Sequence, residues 1–107
     1  MADSNLSGDD RRQQLTSDFL AQTARIPFAE LQRYFAGGRV VAVEDSLDLV
    51  SVAVELALDN AEQFQQWVDA GAVSAVSDDT ARQWLEADTV LWAVVADPWV
   101  LVQLRDE

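Results

Sequence analysis

Apolar positions along this chain change their spacing several times, and each change marks an element. After a polar start, Leu15 and Phe19 recur at i, i+4, and Ser7 with Asp10 has capping-box spacing, which predicts a helix over 9–24. Pro27 stands where a first helical residue belongs. Phe28, Leu31 and Phe35 follow at i, i+3, i+7, and Gly37-Gly38 supplies a left-handed stop, so a second short helix is expected. Val40-Val41-Ala42-Val43 is a β-branched run that reads as a buried strand. Glu44-Asp45-Ser46 ends it, with Asp45 placed to cap a third helix and Asp48 in its first turn. Leu47, Val50, Val54 and Leu58 form one stripe of that helix, broadened by Leu49, Ala53 and Leu56. Such a helix is central and largely buried.

Asp59-Asn60-Ala61-Glu62 reads as another capping box, which breaks the helical region in two. Phe64, Trp67 and Val68 are expected to face inward, and Gly71 to end this helix. Val73–Val76 is a short strand, and Ser77 caps a last helix carrying Ala81, Trp84 and Leu85 on one face. Two strong strand signals close the chain, 89–95 and 99–104, around Ala96-Asp97-Pro98. Proline cannot take the positive φ of a type I′ turn, so a tight loop centred on Asp97-Pro98 is disfavoured. A four-residue loop from Ala96 to Trp99, with Val95 opposite Val100, is expected instead. That register puts Trp92, Val94 and Leu101 on one face. Leu91, Ala93, Val95, Val100, Val102 and Leu104 fall on the other. Both faces are apolar, so the hairpin needs cover on both sides, from helices or from a second copy.

The order is therefore α-α-β-α-α-β-α-β-β. It describes a single α/β or α+β domain with a small mixed sheet, ending in a C-terminal antiparallel hairpin packed by helices. Residues 1–8 are expected to be a disordered N-terminus and 9–107 the globular domain.

Composition narrows the chemistry. The 107 residues include no histidine, cysteine or lysine; seven arginines face nineteen acidic residues, for a net charge of −12. The usual neutral-pH base, thiolate and lysine nucleophiles and most transition-metal ligands are thereby removed. The charge repels nucleic acid and anionic membrane and attracts basic partners. No basic-then-apolar signal opens the chain, and its longest apolar run is too short to span a bilayer. A cytoplasmic protein that binds neither membrane nor nucleic acid directly is expected.

Several segments are also familiar in wording: TARIPFAELQRYFAGG (Thr23–Gly38), DLVSVAVELALDNAEQFQQWVDAG (Asp48–Gly71), ARQWLEAD (Ala81–Asp88) and LWAVVADPWVLVQ (Leu91–Gln103). With them the chain resembles a family of small bacterial proteins known as domain of unknown function 2288. The closing phrase is the most specific part. The resemblance implies a stand-alone cytosolic protein of Gram-negative bacteria and transfers no catalytic or binding residue.

The residues themselves offer few sites. Glu44, Asp45 and Asp48 are oxygen ligands at a strand end, of the kind that suits Mg²⁺ or Ca²⁺, but they lack EF-hand spacing and read as helix-capping residues. Ser46, Ser51, Ser74 and Ser77 have no histidine or lysine to activate them. No glycine pattern cradles a phosphate. Trp67 and Trp84 lie on apolar helix faces and read as core. Asp97, Pro98 and Trp99, at a loop tip with an acidic flank, are the interaction candidates. The expected function is a non-enzymatic protein-interaction domain without cofactor or metal. Its partner is unidentified, and the apolar hairpin points to a homodimer. An acidic decoy for a basic nucleic-acid-binding protein, and a carboxylate-dependent Mg-type enzyme, are the alternatives.

Overall fold

The computed structural model of the protein describes residues 8–104, with side chains from residue 10 onward. The expected disorder over 1–8 and the Ser7 cap lie outside the described residues, except that Gly8 opens the first helix. In chain order the elements are α1 (Gly8–Gln22), β1 (Ala24–Pro27) and a 3₁₀ turn (Phe28–Leu31) running into α2 (Gln32–Ala36). Then follow β2 (Val40–Val43), α3 (Leu49–Ala57), α4 (Ala61–Asp69), β3 (Val73–Ala75), α5 (Asp78–Glu86), β4 (Val90–Ala96) and β5 (Trp99–Gln103). The five strands form one mixed sheet in the order β1-β4-β5-β2-β3, parallel only between β2 and β5. Of the α/β and α+β classes expected from the sequence, α+β is the one observed.

The apolar hairpin sits at the centre of that sheet, and helices of the same chain cover both faces. On one side Val94, Ala96 and Leu101 pack with Leu49, Val52 and Ala53 of α3, Phe19 of α1 and Trp67 of α4. On the other, Leu91, Ala93, Val100 and Val102 pack with Phe28, Leu31 and Ala81. Phe28 is fully buried and edge-on to both Phe35 (5.8 Å) and Trp84 (5.4 Å), so it centres the second core. The surface expected to bring two copies together is thus buried within one chain. Of the positions assigned to the hairpin faces, Val95 and Leu104 remain exposed.

Three local expectations need correction. First, Val95 does pair with Val100, but Ala96 also pairs with Trp99. The connection is the two-residue Asp97-Pro98, whose peptide is cis, the isomer a turn takes with proline at its third position. Second, Pro27 opens no helix. It closes β1, an extra strand that pairs with β4 in the register Ile26↔Leu91 and Pro27↔Val90. The Phe28 N–H continues this ladder to the Thr89 carbonyl at 2.9 Å, so by alternation the Pro27 nitrogen faces the open edge, where no ladder donor is lost. Third, the cap of α3 is Asp48, not Asp45, and its carboxylate accepts from the Ser51 hydroxyl (2.9 Å) rather than from a backbone N–H.

A turn closed by the Leu47 N–H on the Glu44 carbonyl (3.1 Å) and held by Gln103 accompanies that last shift. Gln103 is 1% exposed, and its Nε2 donates to the carbonyls of Glu44 (2.9 Å) and Leu47 (2.7 Å). These bonds tie β5 to the 44–47 turn and hold it out of the helix, which starts only at Leu49.

Helix ends follow one rule. Each of α2 to α5 closes with paired bonds, as at Gly71 N–H to Val68 C=O (3.0 Å) and Ala72 N–H to Trp67 C=O (2.9 Å). The left-handed residue is Gly38 after α2 and Gly71 after α4, but Asp59 after α3 and Asp88 after α5. Asp59 is therefore the end of α3, and Asn60 caps α4 by accepting from the Gln63 N–H at 3.3 Å. Ser77 caps α5 as expected, accepting from the Thr80 N–H at 3.1 Å.

α1 docks along one stripe. Leu15 and Phe19 reach the first core, and Arg12, one turn earlier, pairs with Glu55 of α3. Asn60 also donates to Glu55, at 2.8 Å. The Arg12 hydrogen bond is the main reason the Glu55 carboxyl lies below its ordinary value of 4.5; burial opposes it and the Asn60 bond assists.

Two predictions arise here. Replacing Gln103 with Ala deprives the Leu47 carbonyl of this donor and leaves the Glu44 carbonyl with the Leu47 N–H at 3.1 Å, and should lower unfolding free energy by about 2 kcal/mol in urea denaturation. It should also speed amide exchange in the 44–48 segment. A depressed carboxyl contributes stability that is full above its unfolded value and is lost as pH falls through the folded one. Denaturation midpoints followed from neutral pH to about pH 3 should therefore fall less steeply for Glu55→Gln than for the parent.

Candidate functional site

The turn at Asp97-Pro98 delivers Trp99 to the end of the sheet. Strand alternation puts its side chain on the same face as Leu101, beneath α3 and α4. Trp99 is 38% exposed, so the cover stops short of it. Two clefts meet there. One, of about 230 Å³, is lined by Leu56, Asp59, Asn60, Ala61 and Phe64 together with Trp99. The other, of about 290 Å³, lies between α4 and the β2–β3 edge, with Val41, Val68, Ala75, Phe64 and again Trp99 in its walls. Phe64 and Trp99 are shared, so the two clefts make one apolar furrow with an aromatic waist.

Charges flank it. Asp59 lines one end of the furrow, and Asp97 is exposed in the turn two residues before Trp99. Arg39 lies alongside Trp99, because Val40 pairs with Val100 in parallel and the Val100 N–H donates to the Arg39 carbonyl at 2.9 Å. Arg39 is exposed as well.

Of the sequence candidates, Trp99 lines both clefts, while Asp97 and Pro98 form the turn that leads into it and are not among the furrow's walls. The sequence alone does not single out its other walls, and Val68, expected to face inward, is 41% exposed here. The signal for α4 lies in Ala61, Phe64 and Val68 at i, i+3, i+7, a second apolar stripe beside the Trp67 stripe that enters the core.

Glu44, Asp45 and Asp48 lie at the opposite end of β2, on the turn held by Gln103. Among the described residues no group of three or more acidic side chains is arranged to hold a metal ion. Trp67 and Trp84 pack against the two cores, and Trp92 lies beneath the Arg25 guanidinium at 5.9 Å. A third cleft, of about 230 Å³ on the opposite sheet face, brings Glu30 and Tyr34 to an aliphatic floor that includes Ile26 and Val95. No helix among the described residues is long and apolar enough to cross a membrane.

A central hairpin covered on both faces, with helices ending in paired-bond caps around it, defines a small α+β domain of mixed-sheet type. The chain belongs to the family described as protein of unknown function DUF2288, whose model matches residues 14–104. It is similar to PA1075 from Pseudomonas aeruginosa, known as an NMR solution structure. The two are 46% identical over 88% of this chain and 87% of that one, with a TM-score of 0.76. Comparison with the curated proteins finds no match. The resemblance read from the sequence is the family the chain belongs to.

Proposed function

We propose that the protein is a non-enzymatic, cytoplasmic protein-interaction domain that seats an apolar side chain of a partner in the furrow at Trp99. The observation that carries this reading is the pair of apolar clefts sharing Trp99 and Phe64. Tryptophan is among the residues that dominate the energetics of protein interfaces, and Trp99 stands on an exposed rim. The chemistry of the linings supports the same reading. Of the three clefts, one holds the single carboxylate of Glu30, one that of Asp59, and one holds none. Paired-carboxylate hydrolysis needs two such groups across a cleft.

Comparative capture from host lysate with parent and Trp99→Ala baits, washed at high salt, tests the reading. Trp99 is only partly buried, so its loss leaves the cores intact. A partner held through the furrow should drop by at least about tenfold on the Trp99→Ala bait, the effect of losing an interface anchor. Equal recovery on both baits overturns the furrow as the binding site.

A further inference from the structure

We infer that the occupant of the Trp99 furrow is a cationic amphipathic segment of another protein, its apolar residue held between Phe64 and Trp99 and its Arg or Lys side chains directed to Asp59, in the wall, and to Asp97, in the turn before Trp99. This rests on the docking reading above and adds the chemistry of the partner. Shape alone admits any apolar anchor, a second copy of this chain included, so charge decides between them. Each copy carries −12, and two copies meeting at the furrow would also bring Asp59 and Asp97 of one near those of the other. The hairpin faces, which could have driven such a pairing, are already buried under helices. A cationic segment meets the opposite situation. The field of the whole chain draws it in, and the carboxylates of Asp59 and Asp97 flank its anchor.

Arg39 gives the site a direction. It is the basic residue set beside Trp99 by the β2–β5 register, between Gly38 and Val40 of the α4/β2–β3 cleft, whereas Asp59 lines the other cleft, so it repels a cationic segment at one end while Asp59 attracts it at the other. Charge-sign variants around one tryptophan therefore change affinity in opposite senses, which a merely sticky groove does not do.

The full chain, isotope-labelled, can be titrated with a short leucine–lysine amphipathic peptide and with its leucine–glutamate counterpart of identical apolar pattern. Binding is read from the Trp99 indole N–H, assigned with Trp99→Phe. The lysine peptide should move that resonance and the glutamate peptide should not. Asp59→Asn with Asp97→Asn should weaken binding about tenfold, and Arg39→Ala should strengthen it about threefold, the sizes of rim charge pairs. Glu86→Gln with Asp88→Asn, an equal charge change at the end of α5 on the other sheet face, should have little effect.

Equal binding of both peptides at Trp99 overturns the inference while leaving the docking reading intact. The inference is overturned in the same way if the α5 variant weakens binding as much as the furrow variant, since then only the overall field acts. A dimer of the chain in sedimentation that Trp99→Ala dissolves replaces the cationic segment with a second copy. If neither peptide moves the indole, the inference falls. The docking reading then falls with it only if the Trp99-dependent capture is also absent.

Discussion

The structure depends on one constraint: the β4–β5 hairpin is apolar on both faces. Leu91, Leu101 and Val102 have no exposure at all, and they point to opposite sides of the sheet. A two-stranded ribbon of this kind is not stable in water until both sides are covered. The chain satisfies it with two different layers. α1, α3 and α4 close one side, while the Phe28 turn, α2 and α5 close the other. β1 and β2 then flank the hairpin, so that neither of its strands lies at an edge. The outer edges are short, and β1 carries Pro27 with its nitrogen outward, which limits pairing with other chains.

The furrow follows from where that cover ends. α4 is short and is held in place by a left-handed Asp59 before it and Gly71 after it. Its Trp67 and Phe64 both pack against the core, Phe64 also lining the furrow, while Val68 lies exposed above the end of the sheet. Trp99 arrives at the same place because the two-residue turn extends the hairpin by one pair beyond Val95 and Val100. The exposed tryptophan is thus the visible end of the central hairpin. At the other end of the sheet Gln103 closes the corresponding gap with two hydrogen bonds to the 44–47 turn. One end is sealed by a buried amide; the other is open and apolar.

Legibility in the sequence followed the range of the interactions. Period and capping signals, which act within a few residues, located α3, α4, α5, β2 and the two hairpin strands, and gave the hairpin register. β1 escaped because four residues ending in proline show no alternation, and Ile26 before Pro27 is excluded from helix without being marked as strand. Asp45 and Asp48 are equally good caps in isolation. The 44–47 turn that favours Asp48 is closed by the Leu47 N–H on the Glu44 carbonyl and held by Gln103, more than fifty residues away. Likewise Trp99 could be picked out beside Asp97-Pro98, whereas Phe64, Val68 and Arg39 join it only through the β2–β5 pairing and the crossing of α4. Nothing local encodes that meeting.

Stability and surface charge are nearly separate in this molecule, and that separation bears on how the furrow can act. Both cores are built from aliphatic and aromatic side chains, and Gln103 is the polar residue buried with them. The arginines are placed at the periphery: Arg12 on Glu55, Arg82 on Asp79, Arg25 over Trp92, Arg33 over Tyr34. The excess of carboxylates therefore does little to hold the fold and remains available to the solvent and to whatever approaches it. A surface of this kind can change its charge without losing its shape. Selection among partners at the furrow can accordingly be tuned at Asp97 and Arg39, and at Asp59 by Asn, which also accepts its left-handed backbone, while Phe28, Leu49 and Leu101 keep the scaffold unchanged.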